Sequence, residues 1–234
     1  MKVLVTGNLG YIGSVLTTEL AAAGHDVTGL DIGYFRDCLL GESPAPARQI
    51  VRDIRDVTRE DLEGVEAIIH LAALSNDPLG EFDPRLTDAI NRDATVRLAM
   101  LAKERRIGRF VYASSQSMYG VSATDAELDE DDSDKHPLTA YARTKWEAEL
   151  RIKELADADF TVVCMRPSTV FGASPRLRCD IVYNNLVACA FTTGRIEIKS
   201  DGTPWRPVVH VRDVCSAFRA GLEAPAGLVN RRSY

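Results

Sequence analysis

The sequence predicts an α/β fold, a doubly wound parallel sheet with helices on both faces and a small further lobe towards the C-terminus. Three observations carry this. Short β-branched runs alternate with longer amphipathic stretches through most of the 234 residues. Several of those runs are apolar throughout, as strands buried on both faces should be. A glycine-rich turn joins the first run to the first helical stretch.

Residues 2–6 form the first predicted strand, and 11–23 a helix stopped by Gly24. Strands follow at 26–30, 49–52 and 67–71. Residues 85–105 make one long helix, with Leu86, Ile90, Ala94, Leu98 and Leu101 along one side. A strand at 109–114, a helix at 141–155 and a strand at 160–165 continue the alternation. After Arg166 it breaks, punctuated by Pro167, Gly172, Pro175, Gly194, Gly202, Pro204 and Pro207. A helix at 181–192 and a short strand at 196–199 lie in that region, and a final helix at 212–223 returns to the sheet. The expected organisation is 1–166 as a nucleotide-binding domain, 167–206 as a partial lobe and 207–234 as a return segment.

Composition excludes several classes. Apolar residues make up 45% of the chain and charged residues 26%, enough core for a folded domain. The net charge of -6 argues against nucleic acid or an anionic membrane surface as the main partner. No apolar run reaches the roughly 18 residues of a membrane helix, and the N-terminus does not resemble a signal peptide, so a cytoplasmic protein is expected. The five cysteines, Cys38, Cys164, Cys179, Cys189 and Cys215, are odd in number and lack a Cys-x-x-Cys pair. Reduced, mostly buried thiols are expected, with no disulfide framework and no metal site. The acidic run from Glu127 to Asp134 reads as a solvated loop.

The turn Thr6-Gly7-Asn8-Leu9-Gly10-Tyr11-Ile12-Gly13 sits between strand and helix. There Gly7 permits a tight turn, Gly10 lets backbone approach a pyrophosphate, and Gly13 lets the helix lie close on the strand. Free N–H groups at the helix start favour phosphate. Asp31, ending the second strand, suits the ribose hydroxyls and repels a 2′-phosphate, which favours NAD over NADP. Asp53, before Ile54, could accept from the adenine amino group or simply cap a helical turn.

Tyr141 and Lys145 are spaced to share a helix face. A phenol with a pKa near 10 is a poor base at neutral pH, and a neighbouring ammonium lowers it. Alone, the pair could be a surface contact. The segment Ser114-Ser115-Gln116-Ser117-Met118-Tyr119-Gly120 adds hydroxyls at the carboxyl end of a strand, where parallel sheets place active sites, although it could also be a polar turn.

Together these residues resemble the extended short-chain dehydrogenase/reductase superfamily, in its nucleotide-sugar epimerase/dehydratase branch. The similarity also takes in Asp53-Ile54, His70-Leu71-Ala72-Ala73, Asn91, the stretch from Arg166 to Gly172, and Trp205-Arg206-Pro207-Val208-Val209-His210-Val211. It implies a Rossmann-type fold and NAD held by Gly7, Asn8, Leu9, Gly10, Tyr11, Ile12, Gly13, Asp31, Asp53, Ile54, Leu71, Ala72, Ala73, Tyr141, Lys145, Ser168 and Val170. It makes Tyr141 the base and acid, with Lys145 lowering its pKa and Ser115 as the catalytic hydroxyl. Ser75, Ser115, Gln116, Ser117, Tyr141, Asn184 and Arg206 would meet a nucleotide-sugar substrate. Arg206 would grip its diphosphate, although an ion pair is the plainer role for that residue. Asn185 and Arg176 are weaker candidates.

The reaction so implied removes a sugar hydroxyl proton at C4 while hydride moves to NAD⁺. Dehydratases of the family carry acids at the positions of Gln116 and Ser117; here there is none, which favours epimerisation. A net dehydrogenase, reductase or dehydratase, or a non-catalytic NAD-binding protein, are the alternatives. Relatives continue past the helix at 212–223 with another strand and most of a substrate lobe. Neither is expected in this chain, leaving a truncated lobe and a site open on one side. A homodimer through the helices at 85–105 and 141–155 is expected by the same resemblance.

Overall fold

In the computed structural model, β1 (Lys2–Thr6) lies near the middle of a seven-stranded sheet. The structure describes residues 1–41, 46–75, 77–121, 127–198, 201 and 207–234. The sheet also contains β2 (Asp26–Asp31), β3 (Arg48–Val51), β4 (Ala67–His70), β5 (Arg109–Ala113), β6 (Thr161–Met165) and β9 (Arg232–Ser233). Their order is β3-β2-β1-β4-β5-β6-β9, parallel throughout, with Val5 opposite Gly29 on one side and Ile69 on the other.

Alternation along the strands divides the core in two. Leu4, Ile68, Phe110 and Tyr112 pack on one face with Leu98 and Ile152, from α4 (Ala94–Glu104) and α5 (Ala140–Glu154). Val5, Ile69, Val111 and Val163 pack on the other with Leu16 and Phe218, from α1 (Tyr11–Ala22) and α7 (Val211–Glu223). Both faces are covered, so β4 and β6 are buried at every residue. Thr139 starts α5, its hydroxyl accepting from Ala142 N at 3.1 Å. Glu81 of α2 (Asp77–Phe82) also accepts from Ala140 N, at 2.6 Å.

The predicted helix at 85–105 is not one regular helix. After α3 (Pro84–Thr87) comes a π-helical turn over Asp88–Asp93, and only then α4. The wider turn carries Asn91 into the core, where it bonds Leu74 N at 2.8 Å and Leu74 O at 3.0 Å. The shift takes Leu86 out of the expected apolar stripe and leaves it exposed. The predicted strand at 196–199 is also absent as far as it is described. Residues 196–198 form no strand, Ile196 and Ile198 are exposed, and Lys199 lies outside the described residues.

Instead, β7 (Thr169–Phe171) and β8 (Val208–His210) form a two-stranded parallel sheet, each too short to show a period. Between them lies α6 (Val182–Thr193). The further strand expected to be missing is present as β9. After α8 (Ala226–Val229) the chain pairs Arg232 with Val163 and Ser233 with Cys164, and Tyr234 N donates to Cys164 O at 3.0 Å. Two residues without apolar alternation gave no sign of it. The cysteines also depart from expectation. All are free, but only Cys164 and Cys215 are buried. Among the described residues no helix is long and apolar enough to cross a membrane.

Candidate active site

The glycine turn makes a cradle at the carboxyl end of the sheet. Gly7 adopts φ +73°, and a Cβ there would lie 2.8 Å from Ala72 N. On Gly13 a Cβ would lie 2.1 Å from Gly7 O, so the start of α1 can sit against the turn only without a side chain. No side chain caps α1 at Gly10, and its first amides are oriented for a phosphate. Asp31 accepts from Leu9 N at 3.2 Å and Gly33 N at 2.8 Å. Burial pushes its pKa up, against the pull of these two amides. Ala72 N donates to Thr6 Oγ1 at 3.3 Å, which places Leu71, Ala72 and Ala73 beside the turn. Tyr11 OH reaches across to donate to Gly172 O at 2.7 Å, and Ile12 packs into the core. The side chain of Asn8 is turned inwards to Gln49, at 2.7 Å.

A second group gathers where β5 ends. Lys145 is 2% exposed, and its Nζ donates to Ala113 O at 2.8 Å. The same Nζ lies 4.9 Å from the ring centroid of Tyr112 and 5.9 Å from that of Tyr141. Burial lowers the Lys145 pKa to about 7. Tyr141, in the first turn of α5, is half-buried. Ser115 starts a 3₁₀ turn over Gln116–Tyr119, its hydroxyl accepting from Ser117 N at 3.1 Å. Below them His70 is fully buried, bonded to Thr6 Oγ1 at 2.6 Å and Thr95 Oγ1 at 2.8 Å. Burial, then the Lys145 charge, push its pKa down to about 3, so it stays neutral and supports the site structurally. The arrangement sets a basic nitrogen beside the Tyr141 ring at the carboxyl end of β5, where it can stabilise a phenolate.

A glycine turn with no room for a Cβ at Gly7 or Gly13, a carboxylate beside it and a half-buried Tyr141 next to the buried Lys145 together fit a nicotinamide dinucleotide. Residues 3–234 match the NAD dependent epimerase/dehydratase family. The chain belongs to this family. It is an NAD-dependent enzyme of the epimerase/dehydratase group, and NAD is its cofactor. The chain is 33% identical to a UDP-glucose 4-epimerase of Mycolicibacterium smegmatis, covering 97% of this chain and 74% of that protein. It is 30% identical to an uncharacterized UDP-glucose epimerase, YtcB, of Bacillus subtilis, over 96% of this chain and 73% of the relative. Among solved structures, MoeE5 in complex with UDP-glucose and NAD superposes with a TM-score of 0.82 at 32% identity, over 100% of this chain and 74% of the other. DesIV, a dTDP-glucose 4,6-dehydratase from Streptomyces venezuelae with NAD bound, gives 0.86 at 26% identity, with the same two coverages of 100% and 74%.

Other family positions are less simply arranged. Both oxygens of Asp53 are engaged by Arg55, through its N at 2.9 Å, Nε at 3.0 Å and Nη2 at 2.7 Å. This is the capping alternative for Asp53, and the Ile54 side chain is core. Val170 is buried on β7, with Ser168 half-buried just before it. Asn184 spends its amide internally. It accepts from Gly172 N at 3.1 Å and donates to Arg178 O at 2.9 Å and Tyr11 OH at 3.3 Å. Arg206 lies outside the described residues. Arg178, which the sequence reading passed over, donates through Nη1 to Ser75 Oγ at 3.2 Å. The signal was there in Arg178-Cys179-Asp180, an arginine with a carboxylate two residues on.

Proposed function

We propose that the chain is a nucleotide-sugar 4-epimerase acting through a transient 4-keto sugar. The observation that carries this reading is the Lys145 Nζ bond to Ala113 O, which sets the ammonium beside the Tyr141 ring and two residues before Ser115. Tyr141, as phenolate, takes the C4 hydroxyl proton and later returns it. Lys145 holds the phenolate against the usual preference of tyrosine for its neutral form. Ser115 donates to the reacting oxygen. Bound NAD supplies the hydride acceptor and, on return, the donor. Gln116 and Ser117 offer no carboxyl group to protonate a leaving hydroxyl, so elimination lacks its acid and hydride return to the other sugar face is favoured. The names of the relatives and the UDP-glucose of MoeE5 support a nucleotide hexose as substrate.

The test is incubation with NAD⁺ and UDP-, GDP- and dTDP-hexoses, read by mass and proton NMR. The expected product has unchanged mass and inverted C4. Accumulating NADH, or a product lighter by one water, would instead assign a net oxidation or a dehydration.

The same reading includes a homodimer through α4 and α5. A surface cavity of about 270 Å³ on α4 is lined by Val96, Met100 and Leu101, with Asp93, Arg97, Glu104 and Arg151 around it. An apolar centre inside a charged rim suits a second copy of this chain. Sedimentation is expected to give a dimer that Met100→Arg converts to a monomer; a monomeric parent protein refutes the dimer.

A further inference from the structure

Arg178 lies between β7 and α6 and is held on several sides. Its Nε and Nη2 donate to the two carboxylate oxygens of Asp180, at 3.0 and 2.6 Å. Nη1 donates to Ser75 Oγ on the loop that leaves β4. Its carbonyl accepts from Asn184, which also reaches Tyr11 of α1. The side chain therefore bridges the loop beyond β4 and the segment entering α6, across the carboxyl end of the sheet. Asp180 raises the Arg178 pKa most, burial opposes it, and the phenols of Tyr141 and Tyr11 lie close enough to add smaller effects.

The pairing with Asp180 is bidentate, so the guanidinium is aimed and its charge largely compensated. The remaining edge is directed at a neutral hydroxyl, that of Ser75. A sugar hydroxyl is the same kind of acceptor and can take that place without disturbing Asp180. A sugar carboxylate would meet the Asp180 carboxylate beside the same guanidinium, and like charges at that range repel.

We propose that Arg178, aimed and neutralised by Asp180, reads the sugar ring of the substrate and selects an uncharged hexose over a hexuronate. The inference rests on the nucleotide-sugar reading above. Solved relatives include both kinds of complex, MoeE5 with UDP-glucose and MoeE5 with UDP-glucuronic acid.

Binding of UDP, UDP-glucose and UDP-glucuronic acid to the NAD-loaded protein, measured by calorimetry, tests the proposal. A Tyr141→Phe background prevents turnover of the bound sugars. UDP-glucose is expected to bind about tenfold more tightly than UDP-glucuronic acid. Asp180→Asn should close that gap by about tenfold while leaving UDP alone unaffected. Arg178→Lys, which keeps the charge and loses the fork, should weaken UDP-glucose and spare UDP. An unchanged preference in both variants, with UDP still bound, overturns the role of Arg178 and leaves the nucleotide-sugar reading standing. No binding of UDP or either UDP sugar overturns the role of Arg178 in reading UDP sugars, and no binding of the GDP and dTDP hexoses either overturns the nucleotide-sugar reading as well.

Discussion

Tyr141→Phe is expected to lower turnover by about 10²–10⁴-fold while the fold and the NAD complex survive. The change removes one oxygen from a half-buried side chain in the first turn of α5. The helix keeps its Thr139 cap and Lys145 keeps its bond to Ala113 O. What disappears is the group that the proposed mechanism uses to move the proton. Product formation followed by NMR, with NAD affinity measured on the same sample, checks both halves of the expectation. Turnover at the parent rate would remove Tyr141 from the mechanism.

Arg166→Met is expected to cost about 3–5 kcal/mol of stability, the usual consequence of breaking a buried ion pair, with Lys153 Nζ at 3.3 Å left as the remaining cation beside Glu149. Arg166 and Glu149 have side chains 3% and 0% exposed. Nη2 and Nε of Arg166 donate to Glu149 at 2.5 and 3.2 Å, and Nη1 donates to Tyr119 OH at 2.6 Å. Ser233 of β9 also donates to Glu149, at 2.6 Å. One network thus joins α5, β6, β9 and the turn that follows Ser115. A fall in the unfolding midpoint of roughly 10 °C corresponds to that cost. The effect should depend on pH. In the parent, burial opposes ionisation of Glu149, but hydrogen bonds led by that of Arg166, and the Arg166 charge, outweigh it and hold the pKa below its usual 4.5. A carboxyl depressed in this way stabilises the fold above its unfolded pKa and loses that contribution as pH falls through the folded value. Without Arg166, burial pushes the pKa up, and stability is lost as pH rises through the raised value. The deficit should therefore shrink as pH is lowered towards about 4.5. A midpoint unchanged at neutral pH, or a deficit that grows in acid, contradicts this account.

The candidate site was legible where its logic is local. The glycines of the turn, Asp31 at a strand end, and Tyr141 with Lys145 on one helix face all follow from backbone conformation and periodicity within a few residues. The resemblance puts Asn184 among the substrate ligands, and in the fold its amide bonds Gly172, Arg178 and Tyr11. Its partner Tyr11 is far away in sequence, and no spacing rule joins them. The pairing of Arg178 with Asp180 is local, two residues apart, but its bond to Ser75 is made only through the fold. The π-helical turn escaped because its cause is the pair of Asn91 bonds to Leu74, which apolar periodicity does not report.

From its residue order alone this chain determines an alternating α/β architecture, strands buried on both faces, and a turn before the first helix with no room for a side chain at Gly7 or Gly13. Those features depend on which backbone conformations and faces nearby residues allow. The tertiary structure decided the sheet order β3-β2-β1-β4-β5-β6-β9, the closing of its edge by Arg232–Ser233, and the burial that lowers the Lys145 pKa. It also turned Arg166 and Glu149, separated by a strand and a loop, into one buried pair. Each of these arises when distant segments exclude water from the same space. Desolvation and partner choice then depend on what packs together, not on what is adjacent in the chain.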